Sequence, residues 1–209
     1  MSPVARPTFV EEQALAARGF SRVAGLDEVG CGCWAGPVFA AAVVLPAGVE
    51  LELVRDSKAL SPAQRERAAE DIRNKAAGWA VGQASAEEVD FLNIRQASAL
   101  AMKRAVEALP FRPEYLLIDA FRLPGVALPQ KSIIRGDATV ASIAAASILA
   151  KVARDALLRE LAERHPGYGF ENHKGYGTRE HQEALRRLGP CPEHRRTYAP
   201  VKKFITQAA

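Results

Sequence analysis

Two adjacent carboxylates, Asp27 and Glu28, lie near the end of an apolar segment that breaks into glycines after Val29. Asp119 and Asp137 likewise follow short apolar segments. Placing a carboxylate in or beside a hydrophobic core costs several kcal/mol unless its charge is neutralised. If these segments are strands that deliver their acids to one edge of a sheet, the four carboxylates form a site for hard divalent cations.

Each acid also has an ordinary structural interpretation, and the pattern alone leaves it open. An aspartate at the end of a strand is often a turn former or a helix cap. Asp137 could cap the helix that follows it, Asp119 could close a turn, and Glu28 could face solvent. The metal site is favoured when all three segments are considered together, because independent caps need not converge on one place.

The cysteines and histidines favour neither a disulfide framework nor zinc. The chain has three cysteines, an odd number, and none of them forms a CxxC pair. Cys191 and His194 could supply two zinc ligands, but the sequence has no second ligand pair at the usual spacing. His173 and His181 also lack the spacing of a metal site with a third ligand.

Length and charge narrow the class of protein. The chain has 209 residues, enough for one large domain, and a net charge of +4 from 28 basic and 24 acidic residues. If four acids gather in one pocket, the remaining surface is more strongly basic, which suits a polyanionic substrate that must meet a metal. No apolar run approaches the ~18 residues of a membrane span, and residues 1–20 lack a signal-peptide core. We therefore expect a cytoplasmic protein without a membrane partner.

We predict the elements that position the acids from hydrophobic periodicity and from the glycine and proline residues that interrupt it. The predicted strands cover residues 20–29, 37–45, 78–84, 114–119 and 131–135. The predicted helices cover residues 62–77, 87–109, 138–165 and 179–188, with Ser61 and Thr178 as N-caps. This order predicts a single α/β domain over 1–209, with a core at about 20–165 and a C-terminal helical region at about 166–209.

A series of spaced motifs resembles ribonuclease HII, the family of type 2 ribonucleases H. The resemblance runs from about residue 20 to residue 203, which is nearly the whole chain. The matching segments are Gly25–Gly30, Gly36-Pro37, Asp56–Ser61, Ile118-Asp119, Gly136–Ala138, Ser142–Val152, Arg154-Asp155, His173–Thr178, Leu188–Pro190 and His194–Arg196.

The resemblance implies a fold and an activity. The fold is ribonuclease H-like, a five-stranded mixed sheet flanked by helices, with a C-terminal helical extension. The activity is endonucleolytic cleavage of RNA hybridised to DNA, including single ribonucleotides embedded in duplex DNA. It leaves a 5′-phosphate and a 3′-hydroxyl, and the family resemblance suggests that the enzyme acts as a monomer.

The resemblance also assigns roles to particular residues. It implies that Asp27, Glu28, Asp119 and Asp137 are the catalytic acids and that they bind two Mg²⁺ or Mn²⁺ ions. It further implies six substrate-binding residues, which are the tripeptide Gly30-Cys31-Gly32, the loop residues Ser57 and Lys58, and the sugar-stacking Tyr176.

The chain departs from the family pattern at Cys31, because the usual tripeptide is Gly-Arg-Gly. A backbone contact to the substrate survives this exchange, whereas a guanidinium contact to phosphate does not. Discrimination at the RNA–DNA junction is therefore less firmly predicted than cleavage itself.

Two basic residues of the long predicted helix, Lys151 and Arg154, have apolar neighbours and two interpretations. They could contact phosphate, or they could pair with Asp155 and Glu160. We favour the structural interpretation for both.

Two other function classes share part of this pattern. A junction resolvase or transposase-type nuclease of the same fold shares the acidic cluster, but the Gly30–Gly32 tripeptide and Tyr176 favour recognition of a ribonucleotide. A hybrid-duplex sensor without catalysis is disfavoured by the four intact acids, because a pure binding protein gains nothing from like charges that face phosphates.

Overall fold

A five-stranded mixed sheet forms the centre of the molecule. The structure is a computed structural model that describes residues 6–54 and 60–205. The strand order is β3-β2-β1-β4-β5, with β1 antiparallel to β2 and parallel to β4. The strands are β1 Val23–Val29, β2 Val38–Val44, β3 Gly78–Ala84, β4 Tyr115–Asp119 and β5 Gln130–Ile133. This architecture confirms the expected mixed sheet.

Helices cover both faces of the sheet. Their bounds are α1 Val10–Ala16, α2 Pro62–Lys75, α3 Ala86–Leu92, α4 Ile94–Glu107, α5 Gly136–Thr139, α6 Ala141–Arg164, α7 Phe170–His173, α8 Arg179–Leu188 and α9 Ala199–Ile205. Helix α4 packs on one face of β1 and β2, whereas α6, backed by α2, packs on the other. The helices after α6 form the C-terminal region that the sequence predicted.

The approach of α6 to the central strand depends on small residues. The first half of α6 is rich in alanine, and nearly all of it is buried. A Cβ atom at Gly25 of β1 would overlap the backbone at Ser142. Glycine at this position therefore lets the helix lie directly on the strand that carries Asp27 and Glu28.

Two predicted long helices are each interrupted. The predicted helix 87–109 is wrong as a single element, because Asn93 lies between α3 and α4 with a φ of 71°. This non-helical conformation ends α3, and the Asn93 side chain caps α4 by accepting a hydrogen bond from Gln96 N. The predicted helix 138–165 is divided at Val140, which is extended because the chain there is bridged to Thr8.

The predicted element ends are otherwise close to those observed. The capping interactions of Ser61 and Thr178 are present, since each hydroxyl accepts a backbone N–H from the first turn of its helix. Strand β5 ends at Ile133, two residues before the predicted end. The short helices α1, α7 and α9 were not predicted, because each spans at most seven residues.

Within the described residues no helix is both long and apolar enough to span a bilayer.

Candidate active site

The four predicted acids line one cavity at the edge of the sheet. The cavity has a volume of about 210 Å³. Its lining consists of Asp27, Glu28, Val29, Asp119, Asp137, Ser147, Lys151 and Tyr176. The convergence that the sequence pattern predicted is therefore present, and one predicted substrate-binding residue, Tyr176, shares the cavity with the acids.

Sheet register brings the acids together. Leu26 of β1 pairs with Ile118 of the parallel strand β4, so that the next residue of each strand, Asp27 and Asp119, reaches the same edge. Asp137 enters from α5, which follows the neighbouring strand β5 after a short turn. The parallel order of β1, β4 and β5 thus converts three distant sequence positions into one site.

Asp27 and Glu28 reach the cavity from opposite faces of the sheet, because successive strand residues alternate in direction. Asp27 lies on the face covered by α6 and is only 5% exposed. Its Oδ1 accepts a hydrogen bond of 2.8 Å from the backbone N of Glu28. Glu28 lies on the α4 side, where its Oε1 accepts from Cys31 Sγ at 3.7 Å.

Asp119 and Asp137 are held by the turn between β5 and α6. Asp119 Oδ1 accepts a hydrogen bond of 2.7 Å from the backbone N of Gly136. A Cβ atom at Gly136 would lie 2.6 Å from Ile143 Cδ1, so a larger residue would require the Ile143 side chain or this turn to shift. Asp137 is 7% exposed at the start of α5.

The electrostatics of the cavity favour a bound cation. Burial raises the pKa of Asp27 well above its ordinary value, and the negative charges of Glu28 and Asp119 raise it further. Hydrogen bonds from Ser147 and from Glu28 N oppose this rise. Lys151 also lines the cavity, but its ammonium is held by Asp155 at 2.6 Å. A divalent cation among the acids would relieve the repulsion that raises the pKa of Asp27.

The donor set fits ions that keep part of their water shell. Oxygen ligands suit Mg²⁺ and Mn²⁺, and Mg²⁺ retains several waters or substrate oxygens beside one or two carboxylates. Among residues 6–54 and 60–205, no three His, Cys, Asp or Glu side chains form a closed group able to hold an ion by themselves. A cation in this cavity would therefore need water or phosphate oxygens to complete its ligands.

The glycine tripeptide forms a turn beside the acids. Gly30 has a φ of +98°, and a Cβ atom there would overlap the Arg154 guanidinium. The hypothetical Cβ of Gly32 meets no atom within 4 Å, which leaves that backbone open to a ligand. The carbonyl of Cys31 accepts hydrogen bonds from Arg195 Nη1 and from the Tyr198 hydroxyl.

The Cys31 side chain is directed inward. Its Sγ lies 3.3 Å from Ser98 Oγ on α4. Burial raises the pKa of the thiol to about 11, and the nearby carboxylate of Glu28 raises it as well. Cys31 is therefore a neutral thiol that packs under the turn.

Tyr176 is 43% exposed in a loop that crosses the glycine turn region. The loop is anchored by a hydrogen bond of 2.8 Å from Trp34 N to Gly175 O. Glycine is required on both sides of Tyr176, because a Cβ at Gly175 would overlap Ala35 O and one at Gly177 would overlap the Trp34 ring. The predicted substrate residues Ser57 and Lys58 lie outside the described residues.

Two buried arginines that hold these loops were not identified as such from the sequence. Arg154 donates to the carbonyls of Pro37, Lys174 and Ala35 at 3.1, 2.8 and 3.0 Å. Arg195 donates twice to Gly36 O and once to Cys31 O. Both guanidinium groups are fully buried. The structural interpretation of Lys151 and Arg154 is correct, although Arg154 binds carbonyls where a carboxylate partner was expected.

The comparisons with known proteins agree with this geometry. The sequence profile of the family described as Ribonuclease HII matches residues 24–201. The chain belongs to the ribonuclease HII family. It is 55% identical to ribonuclease HII of Desulfitobacterium hafniense (strain Y51) over 195 residues, which are 93% of this chain and 75% of that one. It is also 55% identical to the Chromohalobacter salexigens enzyme over 184 residues, 88% of this chain and 92% of that one.

Solved structures show the same fold. Ribonuclease H2 from Pyrococcus horikoshii OT3 superposes with a TM-score of 0.75 at 25% identity, over 89% of this chain and 98% of that one. The RNase HII that was solved in a complex with PCNA from Archaeoglobus fulgidus gives a TM-score of 0.68 at 26% identity, over 85% and 95%. Bst-RNase HIII in complex with Mn²⁺ shares the fold with a TM-score of 0.65 at 22% identity, over 93% and 73%.

Membership of the family establishes the class of enzyme. The protein is a type 2 ribonuclease H, a nuclease of the hydrolase class, and the family acts on RNA–DNA hybrids with divalent metal ions. The ribonuclease H-like fold that the motifs implied is confirmed by the solved structures.

Proposed function

We propose that this ribonuclease HII cuts the RNA strand of RNA–DNA hybrids and also cuts duplex DNA on the 5′ side of single embedded ribonucleotides. The products carry a 5′-phosphate and a 3′-hydroxyl, and the role in the cell is ribonucleotide excision repair and removal of RNA during DNA replication. The observation that carries the proposal is the shared cavity, in which four carboxylates and Tyr176 face one space.

In this proposal Asp27, Glu28, Asp119 and Asp137 are the catalytic acids and hold two Mg²⁺ or Mn²⁺ ions. When bound, such ions neutralise charge at the scissile phosphate and lower the pKa of a water. The residues of the chain fix where this happens. The Gly136 N–H orients Asp119, the Glu28 N–H orients Asp27, and burial of Asp27 and Asp137 limits competing water.

Recognition of the ribonucleotide is assigned to the glycine turn and to Tyr176. The reliable difference between RNA and DNA at one nucleotide is the 2′-hydroxyl, which backbone N–H and C=O groups can bind. The open space above Gly32 lets a sugar approach that backbone closely. The half-exposed Tyr176 ring, which shares the cavity with the acids, stacks on the sugar of the neighbouring deoxynucleotide. Ser57 and Lys58 are proposed to hold the nucleic-acid backbone.

We also propose the substrates, the oligomeric state, the location and the domain organisation of the protein. The substrates are RNA–DNA hybrid and ribonucleotide-containing duplex DNA, and the enzyme acts as a monomeric cytoplasmic protein. Residues 1–209 form one catalytic domain, in which β1, β4 and α5 carry the acids while the loop between α7 and α8 carries Tyr176.

A cleavage assay with three duplexes tests the proposal. They are a duplex with one ribonucleotide, an all-DNA duplex of the same sequence, and a continuous RNA–DNA hybrid, each with Mg²⁺ or Mn²⁺. We expect a single cut 5′ of the ribonucleotide, degradation of the hybrid RNA, and an intact all-DNA duplex. Equal cutting of the all-DNA duplex would instead favour a structure-specific nuclease such as a resolvase.

The same assay tests the acids. Asp119→Asn is expected to abolish turnover while leaving the fold intact, because the amide keeps an oxygen for Gly136 N but loses the charge that attracts a cation. Glu66→Gln is the matched control, since Glu66 is an exposed residue paired with Arg159. A fully active Asp119→Asn enzyme would contradict the metal-binding role of the acids.

A further inference from the structure

A buried chain of hydrogen-bonded imidazoles lies beneath the Tyr176 loop. His181 and His194 are 0% and 1% exposed. The two Nε2 atoms are 2.9 Å apart. His181 Nδ1 lies 2.9 Å from the carbonyl oxygen of Tyr176. At the other end, His194 Nδ1 lies 3.0 Å from the backbone N of Cys191 and 3.1 Å from its Sγ.

The partners fix the proton on each ring. A carbonyl oxygen can only accept, so His181 Nδ1 carries a hydrogen and donates it to Tyr176 O. The Nε2 of a neutral His181 is then a bare acceptor, and His194 Nε2 must be the donor between the two rings. His194 Nδ1 is consequently the acceptor for the N–H and S–H of Cys191, and its longer contact of 3.3 Å to Cys191 O is not a hydrogen bond.

Each ring in the chain is neutral. Burial lowers the pKa of His181 to about 4 and that of His194 to about 3. The neighbouring His173 lowers the pKa of His181 further, and His181 lowers that of His194 further. Adding a proton to the bare Nε2 of His181 would place two N–H groups face to face at 2.9 Å. The hydrogen bonds therefore run in one direction, from Cys191 through His194 and His181 to Tyr176.

Aromatic packing holds the rings in place. His181 stacks on His173 with 4.3 Å between ring centroids, and Phe170 contacts His181 and His194 through its edge and face. His173 is itself fixed, because its Nδ1 accepts from Gly175 N and its Nε2 donates to Tyr168 O. The orientation of the His181 ring is thus set by the C-terminal region, independently of the substrate cavity.

We propose that His181 and His194 are positioning residues for substrate recognition, which hold the Tyr176 backbone so that its ring faces the cavity of the four acids. The inference rests on the proposed role of Tyr176 at the sugar beyond the ribonucleotide. A rotation of the Tyr176 peptide would move the exposed ring, and the buried N–H of His181 restrains that rotation at a point within the loop.

A double-mutant cycle separates positioning from simple packing. His181→Phe keeps an aromatic ring against His173 but removes both hydrogen bonds, whereas His181→Asn places its amide N–H where the Nδ1–H stands. We expect His181→Phe to lower kcat/KM on the single-ribonucleotide duplex by about tenfold and His181→Asn to keep it within about threefold of wild type. In a Tyr176→Ala background, where no ring remains to be positioned, His181→Phe is expected to cost less than about twofold.

Tyr168→Phe is the matched control. It removes a hydrogen bond of 2.7 Å from the Tyr168 hydroxyl to Gly189 O in the same aromatic cluster, but it leaves the Tyr176 loop untouched. Its kcat/KM is expected to stay within about twofold of wild type. An equal tenfold loss from His181→Phe in the Tyr176→Ala background, or no loss in the wild-type background, would overturn the inference while leaving the proposed function in place. A Tyr176→Ala enzyme with unchanged kcat/KM would overturn the proposed role of Tyr176 and the inference together.

Nitrogen-15 NMR of the wild-type protein tests the same inference without a variant. The expected result at neutral pH is the Nδ1–H tautomer for His181 and the Nε2–H tautomer for His194. An Nε2–H tautomer at His181 would leave Tyr176 O without its imidazole donor and would overturn the inference.

Discussion

Removing the Arg154 guanidinium should detach two loops of the active site at once. In the wild type this group joins Ala35 and Pro37, just after the glycine turn, to Lys174, just before Gly175 and Tyr176. Arg154→Met retains most of the side-chain volume within α6 but has no donor. The substitution therefore tests the hydrogen bonds rather than the packing.

The magnitude follows from the three carbonyls. A buried acceptor left without a donor costs about 1–3 kcal/mol, so three would cost roughly 3–9 kcal/mol. Two effects reduce this sum. Water can reach part of the gap, and the substitution removes a cation whose burial is unfavourable, as the lowered pKa of Arg154 indicates. We expect a net loss of about 3–5 kcal/mol in the free energy of unfolding.

Urea denaturation measures the change as a shift in midpoint at constant slope. The matched control is Arg159→Met in the same helix, whose side chain is 50% exposed and lies 3.4 Å from Glu66. That variant should change stability by at most about 0.5 kcal/mol. Arg154→Lys should fall between wild type and Arg154→Met, since an ammonium reaches fewer of the three carbonyls. Equal midpoints for Arg154→Met and Arg159→Met would refute the reasoning.

Two further changes test the histidine chain and the departure at Cys31. Because the pKa values of His181 and His194 are about 4 and about 3 in the folded chain, the unfolded chain binds more protons than the folded one as the pH falls below about 6.5. The contribution of the two rings to the free energy of unfolding is thus fully present above that pH, and it falls by about 1.4 kcal/mol per pH unit for each ring down to pH 4. Urea midpoints should drop less on acidification in His181→Phe than in wild type, and identical drops would contradict this account. Cys31→Arg should tighten binding of the single-ribonucleotide duplex and steepen its log–log salt dependence by about 0.9 per added phosphate contact. Cys31→Ser serves as the control, and an unchanged affinity throughout a salt titration would show that the side chain at this position does not matter.

The acidic cavity could be predicted because its signal is local. A carboxylate at the end of an apolar strand is conspicuous in the sequence, and parallel strands bring such ends to one edge. The caps of α2 and α8 could be predicted for the same reason, since Ser61 and Thr178 lie next to the helices that they cap. In each case the residue that gives the signal is also the residue that makes the contact.

The residues that support the site could not be predicted, because the groups that they contact cannot be recognised in the sequence. Arg154 and Arg195 bind backbone carbonyls, which every residue possesses, and arginine is more often found at the surface. The inward direction of the Cys31 thiol depends on Ser98, a residue 67 positions away in α4. The helix break at Asn93 was missed although its cap is local, because a single asparagine inside a helical pattern does not by itself show whether the helix ends there.

The most direct test of the account is the position of manganese in crystals of the wild-type protein. Anomalous scattering after soaking with Mn²⁺ should show density in the cavity between Asp27, Glu28, Asp119 and Asp137, and the density should be lost in Asp119→Asn. Manganese found elsewhere, or a cavity without anomalous density at saturating Mn²⁺, would contradict the claim that these four acids bind the catalytic ions.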